Sequence, residues 1–280
     1  MPSARPSLLY VSDPAYPANG RSYGDEDIRL TARLREYFDL ALCHPLDARA
    51  LMGRFDAVVI RNSGPVLHYQ QAYEEFRRAA LDQGVLVYNP LTGRGDMAGK
   101  QYLLDLSADG RPVIPTADGD LGPAAALAAL PAAERYVVKP RLGADSLGLR
   151  ILAPAALAAE PLAGCLVQPY IPLRHEVSFY YVDRDFQYAL YAPDPARRWE
   201  LEPYAATAED LAFARGFVDW NTLSHGIQRV DACRTEDGGL LLVELEDLNP
   251  YLSLDLVDED TREGFAQAMR GSVEALLRGN

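Results

Sequence analysis

Strand and helix signals alternate through about the first ninety residues, and this alternation restricts the fold more than any other feature of the chain. Short apolar runs predict strands at 8–11, 40–43, 57–60 and 85–88. The spacing of apolar residues predicts a helix that begins near Asp25 and another over 69–83, which ends at Gly84. Alternating strands and helices are typical of a parallel sheet with helices on both faces, so we expect an α/β unit here.

The rest of the chain has the pattern of antiparallel α+β structure. Two pairs of strands, 177–182 with 186–191 and 227–233 with 240–245, are separated by short polar turns that predict hairpins. Further elements are predicted as strands at 136–139, 149–152 and 166–168, and as helices over about 96–106, 122–129, 208–222 and 261–277. The sequence therefore predicts an α/β unit followed by α+β material.

The balance of charge excludes several classes of partner. The chain has 27 Lys and Arg residues against 40 Asp and Glu residues, a formal net charge of −13. Because a field of that sign repels nucleic acids and anionic membranes, neither is an expected partner. No apolar run approaches the roughly 20 residues of a membrane-spanning helix, and the first residues lack a secretory signal pattern. We therefore expect a cytoplasmic protein that holds any phosphate ligand with local cations or metal.

The first candidate for ligand binding is the segment 137–148. Lys139 ends a predicted strand, and the loop that follows contains Gly143 and Gly148. Glycine lets the backbone approach a ligand closely, and such a loop can direct successive N–H groups at phosphate oxygens. The lysine adds a positive point charge. The segment therefore predicts phosphate binding, with an exposed hairpin that carries an edge lysine as the alternative.

The second candidate is the last predicted hairpin. Alternate side chains of a strand share a face, so Arg229 lies beside Asp231, and Glu244 beside Glu246. Crowded carboxylates are unfavourable unless a cation neutralises them, and Mg²⁺ takes oxygen ligands of this kind. Together with Asn249, these residues predict a metal site. A solvated acidic face is the alternative, which the flanking leucines and valine disfavour.

Two further glycine motifs fit known patterns but lack the required context. Residues 20–24 match the G-x-S-x-G pattern of hydrolases, yet a loop rather than a strand precedes them. Residues 93–98 match the G-x-G-x-x-A pattern of dinucleotide-binding folds, yet they follow the fourth predicted strand rather than the first. Neither motif is interpreted as a catalytic or cofactor site.

In this order and spacing, the two candidate segments resemble the ATP-grasp superfamily over about residues 8–256. The resemblance implies an ATP-grasp architecture, in which two antiparallel subdomains enclose ATP. The implied units are a parallel-sheet α/β domain over 1–95, a small subdomain with a glycine-rich lid over 96–170, and a large subdomain with the metal site over 171–280.

The resemblance also implies which residues contact the nucleotide. Lys100, at the start of a predicted helix, and Lys139 are similar to the two phosphate lysines of the family. The strand near 166–171 is similar to the one whose backbone meets adenine, and Glu176 lies where the family has an acidic residue near the ribose. The implied ATP contacts are Lys100, Lys139, Arg141, Gly143, Ser146, Gly148, Gln168, Tyr170, Ile171 and Glu176.

Within the superfamily, the chain is most similar to carboxylate–amine ligases such as D-alanine–D-alanine ligases, glutathione synthetases and RimK-like proteins. Their R-x-D pattern corresponds to Arg229 and Asp231, and their E-x-N pattern begins at Glu244. Glu246 stands where asparagine is expected, and Asn249 follows three residues later. The implied ligands of two Mg²⁺ ions are Asp231, Glu244 and a third residue, which is Glu246 if it replaces the asparagine or Asn249 if a bulge brings it into that place.

The predicted function is that of an ATP- and Mg²⁺-dependent ligase. A small-molecule carboxylate, such as that of an amino acid, would become an acylphosphate that an amine attacks, with Arg229 and Lys139 as catalytic residues. A small-molecule kinase of the same architecture and a nucleotide-binding protein without turnover are the alternatives. The expected substrate contacts are Arg61, Asn62, Arg198 and Tyr204. The oligomeric state stays open, with a homodimer among the options.

Overall fold

A computed structural model of the protein describes residues 5–18, 21–61, 69–143, 146–248 and 250–279. In chain order the strands are β1 (Ser7–Val11), β2 (Pro17–Ala18), β3 (Arg21–Ser22), β4 (Asp39–Cys43), β5 (Ala57–Ile60), β6 (Val87–Tyr88), β7 (Ala117–Asp118), β8 (Tyr136–Pro140), β9 (Arg150–Leu152), β10 (Cys165–Pro169), β11 (Leu173–Val182), β12 (Asp185–Ala192), β13 (Glu202–Pro203), β14 (Ile227–Thr235) and β15 (Leu240–Glu246). The α-helices are α1 (Tyr23–Leu34), α2 (Ala48–Leu51), α3 (Gln70–Gln83), α4 (Gln101–Ala108), α5 (Pro123–Ala129), α6 (Pro154–Leu157), α7 (Ala208–Asn221) and α8 (Glu259–Arg278).

The first part of the chain forms a parallel sheet with the strand order β4-β1-β5-β6. All four residues of β5 are buried, as expected for a parallel strand that is covered on both faces. Helix α3 ends at Gly84, whose φ of 66° is the left-handed conformation that glycine adopts without strain. The structure thus confirms the predicted α/β unit.

The later strands form two antiparallel sheets. Their strand orders are β7-β10-β8-β9 and β13-β12-β11-β14-β15. Both predicted hairpins are present, as β11–β12 and β14–β15. The segment that leads into β7 also docks on β15, because Leu242 donates to the Pro112 carbonyl (2.9 Å) and Ile114 donates to the Leu242 carbonyl (3.2 Å). The α+β prediction for this part of the chain is therefore confirmed.

The helix predicted over 96–106 is interrupted. Residues 96–98 form a 3₁₀ turn, and α4 begins only after Lys100. The interruption lies at Gly99, whose φ is 80°, and a Cβ there would be 2.7 Å from a methyl carbon of Leu142. The backbone N–H of Lys100 donates to the Arg141 carbonyl at 2.9 Å instead of continuing a helix. This contact places Lys100 beside the end of β8.

One hydrophobic core joins residues from early and late in the sequence. Leu8 and Tyr10 of β1 share a buried cluster with Tyr180 of β11 and with Phe265 and Met269 of α8. Helix α8 packs against α1 on one side and against the sheet that contains β11 and β12 on the other. Among the helices of the described residues, none has the combination of length and hydrophobicity that crossing a bilayer requires.

Candidate active site

A cavity of about 280 Å³ lies between the two antiparallel sheets. Strands β8, β10, β11, β14 and β15 contribute to its lining, together with the loop after β8 and the segment that follows β12. The predicted site residues that line it are Lys100, Lys139, Gly143, Ser146, Gln168, Tyr170, Ile171, Glu176, Arg198, Arg229, Asp231, Glu244 and Glu246. The structure therefore gathers most of the predicted set around one cavity.

The carboxylates of the hairpin β14–β15 converge as the alternation of strand side chains predicts. Asp231 is paired with Glu244, and Arg229 with Glu246, so all four side chains emerge on one face. A β-bulge shifts the register immediately beyond the Asp231 pair. Each of the three acidic residues offers a carboxylate oxygen within 4.8 Å of the other two. Three oxygen donors at this separation can hold a divalent cation.

Arg229 neutralises part of this negative charge. Its guanidinium is bidentate to Asp231, with Nε–Oδ1 and Nη2–Oδ2 distances of 2.8 Å, and Nη2 donates to Glu246 at 2.5 Å. Nη1 donates to the carbonyl of Tyr251 at 2.9 Å. Burial and the neighbouring Asp231 raise the pKa of Glu246 well above its ordinary value, although the Arg229 charge opposes the shift. Arg229 alone therefore leaves an excess of negative charge on the three carboxylates.

Two lysines face the same cluster from the opposite side. Lys100 Nζ is 2.6 Å from Glu244 Oε1 and Lys139 Nζ is 3.9 Å from the same oxygen, and both lysines are buried. Burial favours a raised pKa for Glu244, but the two lysine charges outweigh it and lower the pKa to about 2. Burial lowers the pKa of Lys139 to about 8, and the charge of Lys100 adds to the effect. Together the two amines can bind an anion at this cavity.

The positions of the lysines in the sequence also indicate the cavity. Of the 27 Lys and Arg residues of the chain, only Lys100 and Lys139 are lysines. Arginine occupies the other cationic positions, including the buried Arg61 and the cavity residue Arg229, whereas both lysines line the cavity. An ammonium is a more compact point charge than the planar guanidinium.

Lys139 is expected to react with acetic anhydride before Lys100 does. Only the neutral amine is nucleophilic, and a pKa of about 8 makes half of the Lys139 side chains neutral near that pH, whereas Glu244 raises the pKa of Lys100. Mass spectrometry of the acetylated protein across a pH series measures both rates. If the acetylation rate of Lys139 had its pH midpoint close to the pKa of free lysine, or if Lys100 were acetylated before Lys139, the described geometry would be contradicted.

Tyr180, Tyr251 and Ser253 are among the lining residues that were not predicted. Tyr180 follows Glu176 and Ser178 at alternate positions of β11, so the period of the strand would have identified it. Tyr251 and Ser253 lie after the acidic strand, in a segment without regular periodicity. At the rim of the cavity, Arg198 Nε donates to Glu176 at 2.9 Å.

The glycine motif at 93–98 anchors the acidic strand. Asp247 follows β15 and accepts from the N–H groups of Gly95 and Met97, both at 2.8 Å. Asp96 accepts in return from the N–H of Asp247 at 2.7 Å. The pair of reciprocal contacts fixes the end of β15 against the turn that leads to Lys100. The motif therefore acts as a clamp for the active-site strand, and the structure gives a role to glycines that the sequence left unassigned.

Replacing Gly95 with alanine is expected to lower the free energy of unfolding by about 1–3 kcal/mol, because overpacking of a close contact has that cost. A Cβ there would be 2.7 Å from the Leu245 carbonyl oxygen and 2.9 Å from Asp247 Cγ. Gly264 of α8 has open space around it, so Gly264→Ala is the control and should stabilise by up to about 1 kcal/mol. Urea unfolding measures both changes, and equal effects would contradict the clamp.

Four predicted residues are not among those that line the cavity. Arg141 donates to Asp118 at 2.6 Å and to Asp120 at 3.1 Å, so neighbouring carboxylates occupy its guanidinium. Gly148 is exposed at the turn before β9 and does not line the cavity. Tyr204 and Arg61 are likewise absent from the lining.

Tyr204 and Arg61 are held by other residues. The Tyr204 hydroxyl donates to Asp210 at 3.0 Å. Arg61 is 1% exposed and paired with Glu26 and Asp27, so a substrate carboxylate cannot reach it. The predictions for Asn62 and Asn249 fall outside the described residues.

The chain is similar to known proteins both in sequence and in fold. No family model matches it. The cycloserine biosynthesis protein DcsG of Streptomyces lavendulae is 30% identical over 263 residues, which cover 81% of this chain and 87% of that protein. The crystal structure of D-cycloserine synthetase DcsG has a TM-score of 0.74 at 24% identity and covers 96% of this chain and 100% of its own. D-Alanine–D-alanine ligase from Bacillus anthracis, solved with ATP, has a TM-score of 0.67 at 14% identity, with coverages of 97% and 98%.

Proposed function

Because the chain belongs to the ATP-grasp superfamily and is an ATP-dependent carboxylate–amine ligase, we propose that it joins a small-molecule carboxylate to an amine through an acylphosphate. The observation that carries the proposal is the meeting of Lys100, Lys139 and three carboxylates at one cavity. Cations that can bind phosphates and oxygen donors that can bind Mg²⁺ are what phosphoryl transfer from ATP requires.

The donor set fits magnesium. Asp231, Glu244 and Glu246 offer oxygen ligands on a partly buried face, where crowded like charges favour a bound cation. We assign these three residues to the metal site, with Glu246 in the position that related ligases fill with asparagine, and we propose two ions. When bound, Mg²⁺ would neutralise the charge of the ATP phosphates.

The residues of the chain then have separate roles. Lys100 and Lys139 bind and orient the phosphates of ATP. An oxygen of the substrate carboxylate attacks the γ-phosphorus, ADP leaves, and the acylphosphate forms. The amine attacks the acyl carbon and phosphate leaves, so the amide forms without an enzyme nucleophile. The loop at Gly143 and Ser146 excludes water, which would otherwise hydrolyse the acylphosphate.

Arg229 is assigned to the developing negative charge on the acyl oxygen. Its contacts with Asp231, Glu246 and Tyr251, in the part of the chain that the structure describes, use four of its five N–H groups. The fifth is on Nη1 and remains for a substrate oxygen. Preorganised donors of this kind stabilise a transition state because they need no reorientation during the reaction.

The substrate class that we propose is an amino acid or a similarly small molecule. Two similar proteins are named for small molecules, D-cycloserine and D-alanine–D-alanine. At the rim of the cavity, we assign the Arg198 guanidinium to a substrate carboxylate, since its contact with Glu176 uses Nε and not the two Nη groups.

A screen for ADP and phosphate release tests the function. Amino acids are supplied singly and in pairs with ATP and Mg²⁺, and a ligase should release ADP and phosphate in equal amounts only when carboxylate and amine are both present. With a carboxylate labelled by ¹⁸O, one labelled oxygen should appear in each phosphate. A kinase would instead form ADP and a phosphorylated product, and a protein without turnover would bind ATP and release neither. Either result would overturn the proposal.

A further inference from the structure

Arg61 forms a buried link between the parallel sheet and the segment 250–254. It follows β5 and is 1% exposed. Its Nη1 donates to the Pro250 carbonyl at 2.6 Å, its Nη2 to Glu26 at 3.0 Å and its Nε to Asp27 at 3.2 Å. We propose that Arg61 is a positioning residue, which acts through this segment to orient Arg229; the inference rests on the proposed role of Arg229.

Side chains from α1, from β12 and from the residue after β5 hold the segment at alternate residues. Glu26 accepts from the N–H groups of Leu252 at 2.9 Å and of Leu254 at 3.2 Å. The Leu252 carbonyl accepts from the Tyr188 hydroxyl at 2.7 Å. With the contact of Arg61 to Pro250, the segment is fixed at three successive even-numbered positions. Backbone groups that are bonded in this way cannot shift without breaking buried hydrogen bonds.

The intervening residues face the active site. Tyr251 and Ser253 line the cavity, and the Tyr251 carbonyl accepts from Arg229 at 2.9 Å. Arg61 and Arg229 therefore donate to adjacent carbonyls of one segment, from opposite sides. A displacement of Pro250 would carry the Tyr251 carbonyl with it, and the guanidinium of Arg229 would lose one of the contacts that set its plane.

The chemistry of Arg61 suits this role better than a purely stabilising one. Buried ion pairs contribute little net stability compared with well-packed apolar side chains, so stability alone does not explain a charged cluster here. The planar guanidinium directs separate N–H groups at Glu26, Asp27 and a carbonyl, which an ammonium cannot do with fixed geometry. Its contribution is the fixed direction of these hydrogen bonds.

A double-mutant cycle tests the proposal. Arg61→Lys should lower kcat on the order of 10- to 100-fold, the usual cost of a small displacement in an active site, with little change in the KM for ATP. In an Arg229→Lys background, the same replacement should change kcat by less than about twofold, because coupled residues are not additive. Equal losses in the two backgrounds, or an unchanged kcat in the single variant, would overturn the proposal.

Two additions keep the test decisive. If Arg61→Lys does not fold, Glu26→Gln replaces it in the cycle, because glutamine has the same shape and keeps one acceptor oxygen for the segment. Arg33→Lys, in an exposed pair with Glu259 between α1 and α8, is the control and should leave kcat unchanged.

A crystal structure of the same variant separates the positioning role from the proposed function. The Arg229–Tyr251 contact should be lost in the Arg61 variant whether or not a ligase substrate has been identified. If the contact is lost but the wild type shows no ligase turnover, the proposed function fails and the link stands. If the contact is intact, the link fails.

Discussion

Replacing Glu244 with glutamine is expected to lower Mg²⁺-dependent ATP turnover by at least about 100-fold, the usual cost of losing one preorganised electrostatic group. Glutamine has nearly the same shape but no charge. The metal site therefore loses a ligand, and the amines of Lys100 and Lys139 lose the carboxylate that they share. Because phosphates would then be the main counter-charge for the two amines, the affinity for metal-free ATP should stay the same or increase.

Calorimetric titration with ATP, in EDTA and then in Mg²⁺, separates these two effects, and ADP release measures turnover. Glu236→Gln is the matched control, because Glu236 is an exposed carboxylate at the turn of the same hairpin. The control should behave as the wild type does. A Glu244→Gln variant that retains Mg²⁺-dependent turnover would place the metal elsewhere.

Replacing Arg229 with lysine is expected to lower turnover by about 10²- to 10³-fold while ATP affinity changes little. Lysine keeps the positive charge but not the planar fork, so the bidentate contact with Asp231 and the contact with Tyr251 cannot both be made. Since the two lysines bind the phosphates in our proposal, loss of Arg229 should affect kcat rather than the KM for ATP.

Arg234→Lys is the matched control for this prediction. Arg234 is on the same strand and also forms a partly buried ion pair, with an Nη2–Asp210 Oδ1 distance of 2.5 Å, but it does not line the cavity. The control should lower the free energy of unfolding and leave turnover per folded molecule unchanged. Similar turnover losses in both variants would mean that Arg229 contributes only to stability.

The acidic hairpin could be predicted because local rules determine most of it. The turn between β14 and β15 is marked by glycine, and alternation places Arg229 beside Asp231 and Glu244 beside Glu246. The register of the whole hairpin could not be predicted in the same way. A bulge next to the Asp231–Glu244 pair shifts the register, and the position of a bulge depends on packing against the rest of the sheet.

Arg61 shows why some of the contacts in the structure could not be predicted from the sequence. The residue after a parallel strand is a common place for a ligand contact, and Arg61 occupies that place. Its actual partners, Glu26 and the carbonyl of Pro250, come from parts of the chain that are far apart in sequence. No local pattern reveals such a contact. The interruption of the predicted helix at Gly99 is also due to a contact between distant parts of the chain, because the Lys100 N–H donates to the Arg141 carbonyl in the loop after β8.

The shared core has a consequence for synthesis of the protein on the ribosome. Residues of β1 are made before those of α8, but one side of their core is completed by Phe265 and Met269 of α8. Until α8 has emerged, apolar side chains such as Tyr10 remain accessible to water and to chaperones. Contacts between residues so distant in sequence also slow folding, because a long loop must close before they can form. We expect the nascent chain to acquire protease resistance only after α8 has left the exit tunnel.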